Sequence, residues 1–153
     1  MGYYGVRSHF FLIILSVRLS YTICENRALF HLTKGKEVHI VNGLPDNTHS
    51  LVVRCQSKDD DFGYHTLLLG QEFSWKFHIN IFGRTLYFCH FWLQGIKDRS
   101  FDVYDDWNEK PHCADNLNDI KTCYWLVKDD GFYYSDYKAD LNSSDWQKWL
   151  PWK

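Results

Sequence analysis

Between Leu51 and Ile79 the chain reads LVVRCQSKDDDFGYHTLLLGQEFSWKFHI. Three short apolar runs stand here between two breaks, the charged SKDDDFG (Ser57 to Gly63) and the Gly70-Gln71 pair. The runs LVVRCQS, HTLLL and EFSWKFHI carry β-branched and aromatic residues, which fit a pleated, half-buried surface. Their length suits strands, and Asp, Gly and Ser clusters between them are turn residues. In LVVRCQS a solvent-facing Arg54 places Val53 and Cys55 on the opposite, inward face, because side chains alternate along a strand.

The same pattern continues in both directions. Upstream, VHIVNGL starts at Val38 and closes on Asn42-Gly43, before a polar turn holding Pro45, Asp46 and Asn47. Downstream, TLYFCHFWL (Thr85 to Leu93) follows Phe82-Gly83, and RSFDVYD (Arg99 to Asp105) follows Gln94-Gly95. CYWLV (Cys123 to Val127) and GFYYS (Gly131 to Ser135) flank Lys128-Asp129-Asp130. With Lys128 in solvent, Cys123, Trp125 and Val127 point inward. No helical period is sustained, so a βαβ arrangement is excluded. The spacing predicts an all-β fold, a small antiparallel β-sandwich of about seven or eight strands.

Composition agrees. The chain has 153 residues, enough for one domain, and 18% are aromatic, which excludes disorder as the main state. Lys and Arg number 17 against 19 Asp and Glu, so the basic excess of a nucleic-acid binder is missing. At the N-terminus, Arg7 and His9 precede the apolar run Phe10 to Val17. This pattern predicts a secretory signal over residues 1–24 and a single mature domain over 25–153. The run is too short to span a bilayer, so no stable membrane insertion is expected. Loss of Cys24 with the signal would leave Cys55, Cys89, Cys113 and Cys123, an even set that reads as two disulfides staple-holding a secreted domain. Inward parity favours Cys55 with Cys123, and Cys89 with Cys113 follows by elimination; spacing alone leaves three connectivities open.

Catalytic motifs are missing. The Asp59, Asp60, Asp61 triplet lacks the EF-hand spacing and reads as a turn. His65, His78, His90 and His112 are scattered, with no H-E-x-x-H pair, no G-x-S-x-G and no P-loop. No metal and no cofactor are expected. The longest non-strand segment is Asp106 to Thr122, where Trp107 stands among Glu109, Lys110, Asp115 and Asp119, with Cys113 as a tether. An aromatic anchor ringed by polar groups is a common interface pattern, so these residues are the candidate binding set. The alternative places Trp107 in the core. Asn142-Ser143-Ser144 is an N-glycosylation sequon. In the tail SSDWQKWLPWK, the spacing of Trp146, Trp149, Leu150 and Trp152 predicts one or two helical turns capped by Ser144.

In order along the chain, VHIVNGL, RCQSKDDDFG, TLYFC and CYW with DGFY resemble the plant self-incompatibility protein family, the stigmatic S-protein homologues, from about Val38 to Tyr134. The resemblance implies a small secreted β-sandwich with two disulfides, at Cys55, Cys89, Cys113 and Cys123. It also implies a recognition ligand: in poppy, a stigma-secreted member meets a pollen membrane receptor and triggers calcium-dependent rejection. Specificity is then expected in the turn at Gly43–Ser50, in the SKDDDFG turn and in the Asp106–Thr122 loop. The partner implied is an unidentified cell-surface protein receptor, bound by a monomer. A secreted hydrolase or toxin-like effector, such as a nuclease using His65 or His112, is the reading from a different class.

Overall fold

The computed structural model describes residues 35–80, 82–94, 96–107 and 121–153. The expected signal segment, Cys113, and the loop residues Glu109, Lys110, Asp115 and Asp119 lie outside the described residues.

Among the described residues nine strands form two sheets. They are β1 (Gly35–Asn42), β2 (Leu51–Gln56), β3 (Asp61–Leu67), β4 (Glu72–His78), β5 (Leu86–Leu93), β6 (Lys97–Asp105), β7 (Lys121–Lys128), β8 (Gly131–Ser135) and β9 (Gln147–Leu150). One sheet has the order β4-β1-β7-β8-β9 and the other β3-β2-β5-β6. β1 and β7 run parallel, and the remaining neighbours pair antiparallel. The chain is therefore an all-β sandwich, as its alternating runs require.

Alternation builds the core. β5 reads intermediate and buried by turns, with Tyr87, Cys89, Phe91 and Leu93 inside. β2 turns Leu51, Val53 and Cys55 the same way, and β1 and β7 answer from the other sheet with Val38, Ile40, Cys123, Trp125 and Val127. Trp125 is fully buried and donates its indole N–H to the Val103 carbonyl at 3.1 Å, joining the two sheets. A buried indole without such a partner would carry a desolvation cost.

β1 and β7 also bury residues on their outer faces. Val41 and Leu126 pack there with Trp146, beside Tyr124, Tyr133, Ala139 and Leu141. The segment after β8 thus covers a second apolar patch. This explains why β1 reads as a nearly continuous buried run instead of a clean alternation.

Three sequence expectations change. The tail is a strand, not a helical turn: β9 pairs with β8 through Tyr134↔Gln147 and Tyr133↔Lys148. The free edge of β8 offers unpaired backbone groups that a strand satisfies and a helix does not. Trp149 and Trp152 then pack against the core, and the Trp152 indole donates to the Lys128 carbonyl at 2.8 Å. The charged break is also shorter than it reads. The turn occupies Ser57–Asp60, closed by the Ser57 N–H on the Asp60 carbonyl, and β3 begins at Asp61. Asp61 is drawn into the strand by Arg54, which grips it from the neighbouring β2.

The third correction is the disulfide. Cys55 bonds Cys89, not Cys123, with 4.1 Å between their Cα atoms. β2 and β5 are neighbours in one sheet and their register sets Cys55 directly opposite Cys89. Cys55 and Cys123 do both face inward, but from opposite sheets. Cys123 is itself disulfide-bonded. With Cys55 and Cys89 joined to each other, the expected Cys89–Cys113 bridge is overturned as well.

Candidate interaction end of the sandwich

The strand directions sort the connections to two ends. Register pairs Gly35 with His78, Lys36 with Lys121, Gln56 with both Asp61 and Phe88, and Leu86 with Asp105. The turn Ser57–Asp60, the segment 79–85 and the exit of β6 into the long loop therefore share one end. The Gly43–Ser50 turn, Leu68–Gln71 and Lys128–Gly131 lie at the other. Of the segments expected to carry specificity, the SKDDDFG turn and the described start of the Asp106–Thr122 loop share one end, and the Gly43–Ser50 turn is at the opposite end.

At the shared end, segment 79–85 and the β6 exit are zipped by polar contacts. Thr85 N–H donates to the Asp106 carboxylate at 2.9 Å, and Asp106 N–H donates back to the Thr85 carbonyl at 3.2 Å. Arg84 donates twice to Asp105, at 2.8 and 2.5 Å, a bidentate fork. Asp105 also accepts the Trp107 N–H at 3.1 Å. The nearby carboxylates hold the Arg84 guanidinium pKa above its usual value, first through the Asp105 hydrogen bond. The guanidinium lies over the Trp107 ring, 5.8 Å from its centre.

This framework displays two aromatic side chains to solvent. Trp107 is 70% exposed and Phe82 is 86% exposed. The inward alternative for Trp107 is thereby excluded. Phe82 was not among the sequence candidates; its signal was the Phe82-Gly83 break, read only as a turn. The Asn80 carboxamide accepts the Phe82 N–H at 3.0 Å, and Asn80 N–H donates to the Thr85 hydroxyl at 2.7 Å, so the aromatic tip sits on a braced loop.

Across from this loop, Ser57 and Asp60 shape the charged turn. The Ser57 hydroxyl oxygen accepts the Asp60 N–H at 2.9 Å, and the Tyr87 hydroxyl donates to the Asp60 carboxylate at 2.8 Å. Burial, then the Asp60 contact, pushes the Tyr87 phenol up to about 12. A cleft of about 780 Å³ opens between the two loops.

Of the scattered histidines, His65 and His90 serve packing. His65 contacts the Phe62 carbonyl at 2.9 Å and stacks on Phe73. His90 stacks on Trp92 and lies 3.2 Å from Asp98. His78 lines the cleft, and His112 lies outside the described residues. Among the described residues no group of three His, Cys, Asp or Glu side chains is placed to hold a metal ion. Asn142 is exposed, beside a turn closed by the Ser143 N–H on the Asp140 carbonyl. Among the described residues no helix is long and apolar enough to cross a membrane.

Comparison with known proteins agrees with the sandwich. The family described as plant self-incompatibility protein S1 matches residues 37–152. S-protein homolog 6 of Arabidopsis thaliana is 35% identical over 127 residues, covering 80% of this chain and 87% of its own. S-protein homolog 3 of Arabidopsis thaliana is 30% identical over 141 residues, 90% of each chain. S-protein homolog 24 of the same plant is 39% identical over 107 residues, 69% of this chain and 63% of its own length. A solved self-incompatibility protein homologue, from a widespread family of small, highly stable, secreted plant proteins, superposes with a TM-score of 0.55. It is 19% identical and covers 79% of this chain and 96% of its own, so it speaks to the fold. This is not a known enzyme family. From the profile match over most of the sandwich and these relatives together, the chain belongs to the plant self-incompatibility protein S1 family.

Proposed function

We propose that the protein is a secreted, extracellular recognition ligand that binds a cell-surface receptor through the end of the sandwich carrying Phe82 and Trp107, with pollen–stigma rejection as one outcome of that binding. The observation that carries this reading is the exposure of Trp107 on a fixed base. A large aromatic left in solvent needs a rigid support if it is to gain affinity without an ordering cost, and the Arg84–Asp105 fork supplies one. Trp and Arg are also the residue types that dominate interface energies. The charged loop residues Glu109, Lys110, Asp115 and Asp119 continue directly from this point in sequence and would set specificity around the anchor.

The test is binding of labelled, disulfide-intact protein to plant cell membranes. Trp107→Ala is expected to weaken saturable binding by about 2 kcal/mol or more, the range of an interface anchor, while thermal stability barely changes. Charge reversal at Asp115 and Asp119 should weaken binding further and alter its salt dependence. Full binding by all three variants would move the recognition surface elsewhere.

A further inference from the structure

The cleft between the Ser57–Asp60 turn and segment 79–85 has a volume of about 780 Å³, within the range that holds a drug-sized group. Its walls are Lys58, Asp59 and Asp60 on one side and Asn80, Phe82 and Arg84 on the other, with Tyr87 between them. The charges are unequal in availability. Arg84 is spent on Asp105, and Asp102 and Asp106 add their fields to it. Asp60 is held by Tyr87 and Ser57. Asp59 is exposed, and among the described residues its carboxylate makes no hydrogen bond or ion pair; only its backbone N–H is engaged, by Ser57. His78 also lines the cleft and is engaged within the fold. Lys58 and Arg84 line the cleft with Asp59 and Asp60, and Arg84 is offset from outside the lining by Asp102, the buried Asp105 and Asp106. With Arg84 already engaged by Asp105, a cationic guest gains Coulomb attraction to the Asp59 carboxylate and the face of the Phe82 ring.

We propose that this cleft seats an arginine or lysine side chain carried, next to an apolar residue, on an extended segment of the receptor. The proposal rests on the ligand reading above for the nature of the partner, and it specifies what the partner presents. Asp59 forms the ion pair at the wall, Phe82 stacks on the guanidinium or the aliphatic stem, and Trp107 covers the neighbouring apolar residue. The Asp60–Tyr87 bond holds the wall in place without contacting the guest.

The probe is acetyl-Leu-Arg-Leu-amide, with acetyl-Leu-Gln-Leu-amide and acetyl-Leu-Glu-Leu-amide as comparators, titrated into the isotopically labelled, disulfide-intact protein. The arginine peptide is expected to give saturable amide shifts at Asp59, Asp60, Phe82, Gly83 and Thr85, and the glutamate peptide none. Asp59→Asn should weaken the arginine peptide about tenfold, the effect of losing one charge-assisted bond. Lys58→Glu should strengthen it by a few fold. Equal binding of the three peptides, shifts outside the cleft, or an Asp59→Asn protein that binds like the parent would overturn the assignment. Membrane binding separates the two levels. If Trp107→Ala loses cell binding while Asp59→Asn keeps it, the receptor reading stands and the cleft assignment fails. If the parent protein shows no saturable cell binding, the receptor reading fails, and the peptide titration still decides the cleft.

Discussion

Asn42 should be the costliest polar side chain to remove from this fold. It closes β1 and is fully buried. Its Nδ2 donates to the Leu67 carbonyl at 2.8 Å, and its Oδ1 accepts the Leu44 N–H at 2.9 Å. Its backbone is used as well, giving its N–H to the Gln71 carbonyl at 2.9 Å and accepting from Gly70 N–H at 2.8 Å. One residue thus ties β1, the end of β3, the turn into β4 and the start of the next loop. Asn42→Ala leaves the backbone bonds in place but strands the Leu67 carbonyl and the Leu44 N–H. Each stranded buried group costs about 1–3 kcal/mol, so a loss of about 2–6 kcal/mol is expected. That corresponds to a melting temperature lower by on the order of 10 °C or more. Urea unfolding of disulfide-intact protein measures it, with an unchanged slope showing that the same surface is exposed.

Asn42→Asp refines the test. The carboxylate still accepts from Leu44 but meets the Leu67 carbonyl lone pairs with no proton to offer. Burial and that carbonyl favour the neutral acid, so the folded state holds the proton more tightly than the unfolded chain. Stability of this variant should therefore fall as pH rises from about 4 toward neutrality, and approach the parent's at acid pH, where the acid hydroxyl replaces Nδ2 as donor. A loss under about 1 kcal/mol for Asn42→Ala, or an Asn42→Asp deficit independent of pH, would refute the reasoning.

Other expectations follow from the same contacts. Non-reducing peptide mapping should join Cys55 to Cys89, and the double Cys→Ala variant should lose about 3–4 kcal/mol, the chain-entropy value for a separation of 34 residues. Asp61, held down to about 2 chiefly by its Arg54 hydrogen bonds, contributes stability that is present above about pH 4 and is lost as pH falls toward 2. Asp61→Asn should flatten that part of the acid-unfolding profile, and an unaltered profile would show the pair is inert. Because folding raises the Tyr87 phenol to about 12, its contribution is complete below about pH 10 and declines from there toward 12; Tyr87→Phe should remove that alkaline loss in denaturant melts taken at each pH. Material secreted by plant cells should begin between Tyr21 and Asn26 and carry a glycan at Asn142, read by N-terminal sequencing and by a mobility shift that Asn142→Gln abolishes.

Eight of the nine strands were legible in the sequence because each is a short alternating run bounded by turn residues, and alternation is a local consequence of the pleat. The inward facing of Cys55, Cys123 and Trp125 was legible for the same reason. Which sheet each strand joins was not, since parity states a face and carries no information about neighbours. Only the pairing of β2 with β5 decided that Cys55 meets Cys89. The tail misled because two tryptophans three apart fit a helical stripe, while the open edge of β8, a tertiary feature, imposed an extended partner. Trp107 was legible as an aromatic in a polar loop; its exposure depended on Arg84 and Asp105, 21 residues apart in sequence and bonded across the end of the sandwich. Phe82 and the cleft were invisible for the same reason. Local patterning is written residue by residue, whereas a site is made where strands distant in sequence end side by side, and that depends on which hydrogen-bond ladders the whole chain can satisfy together.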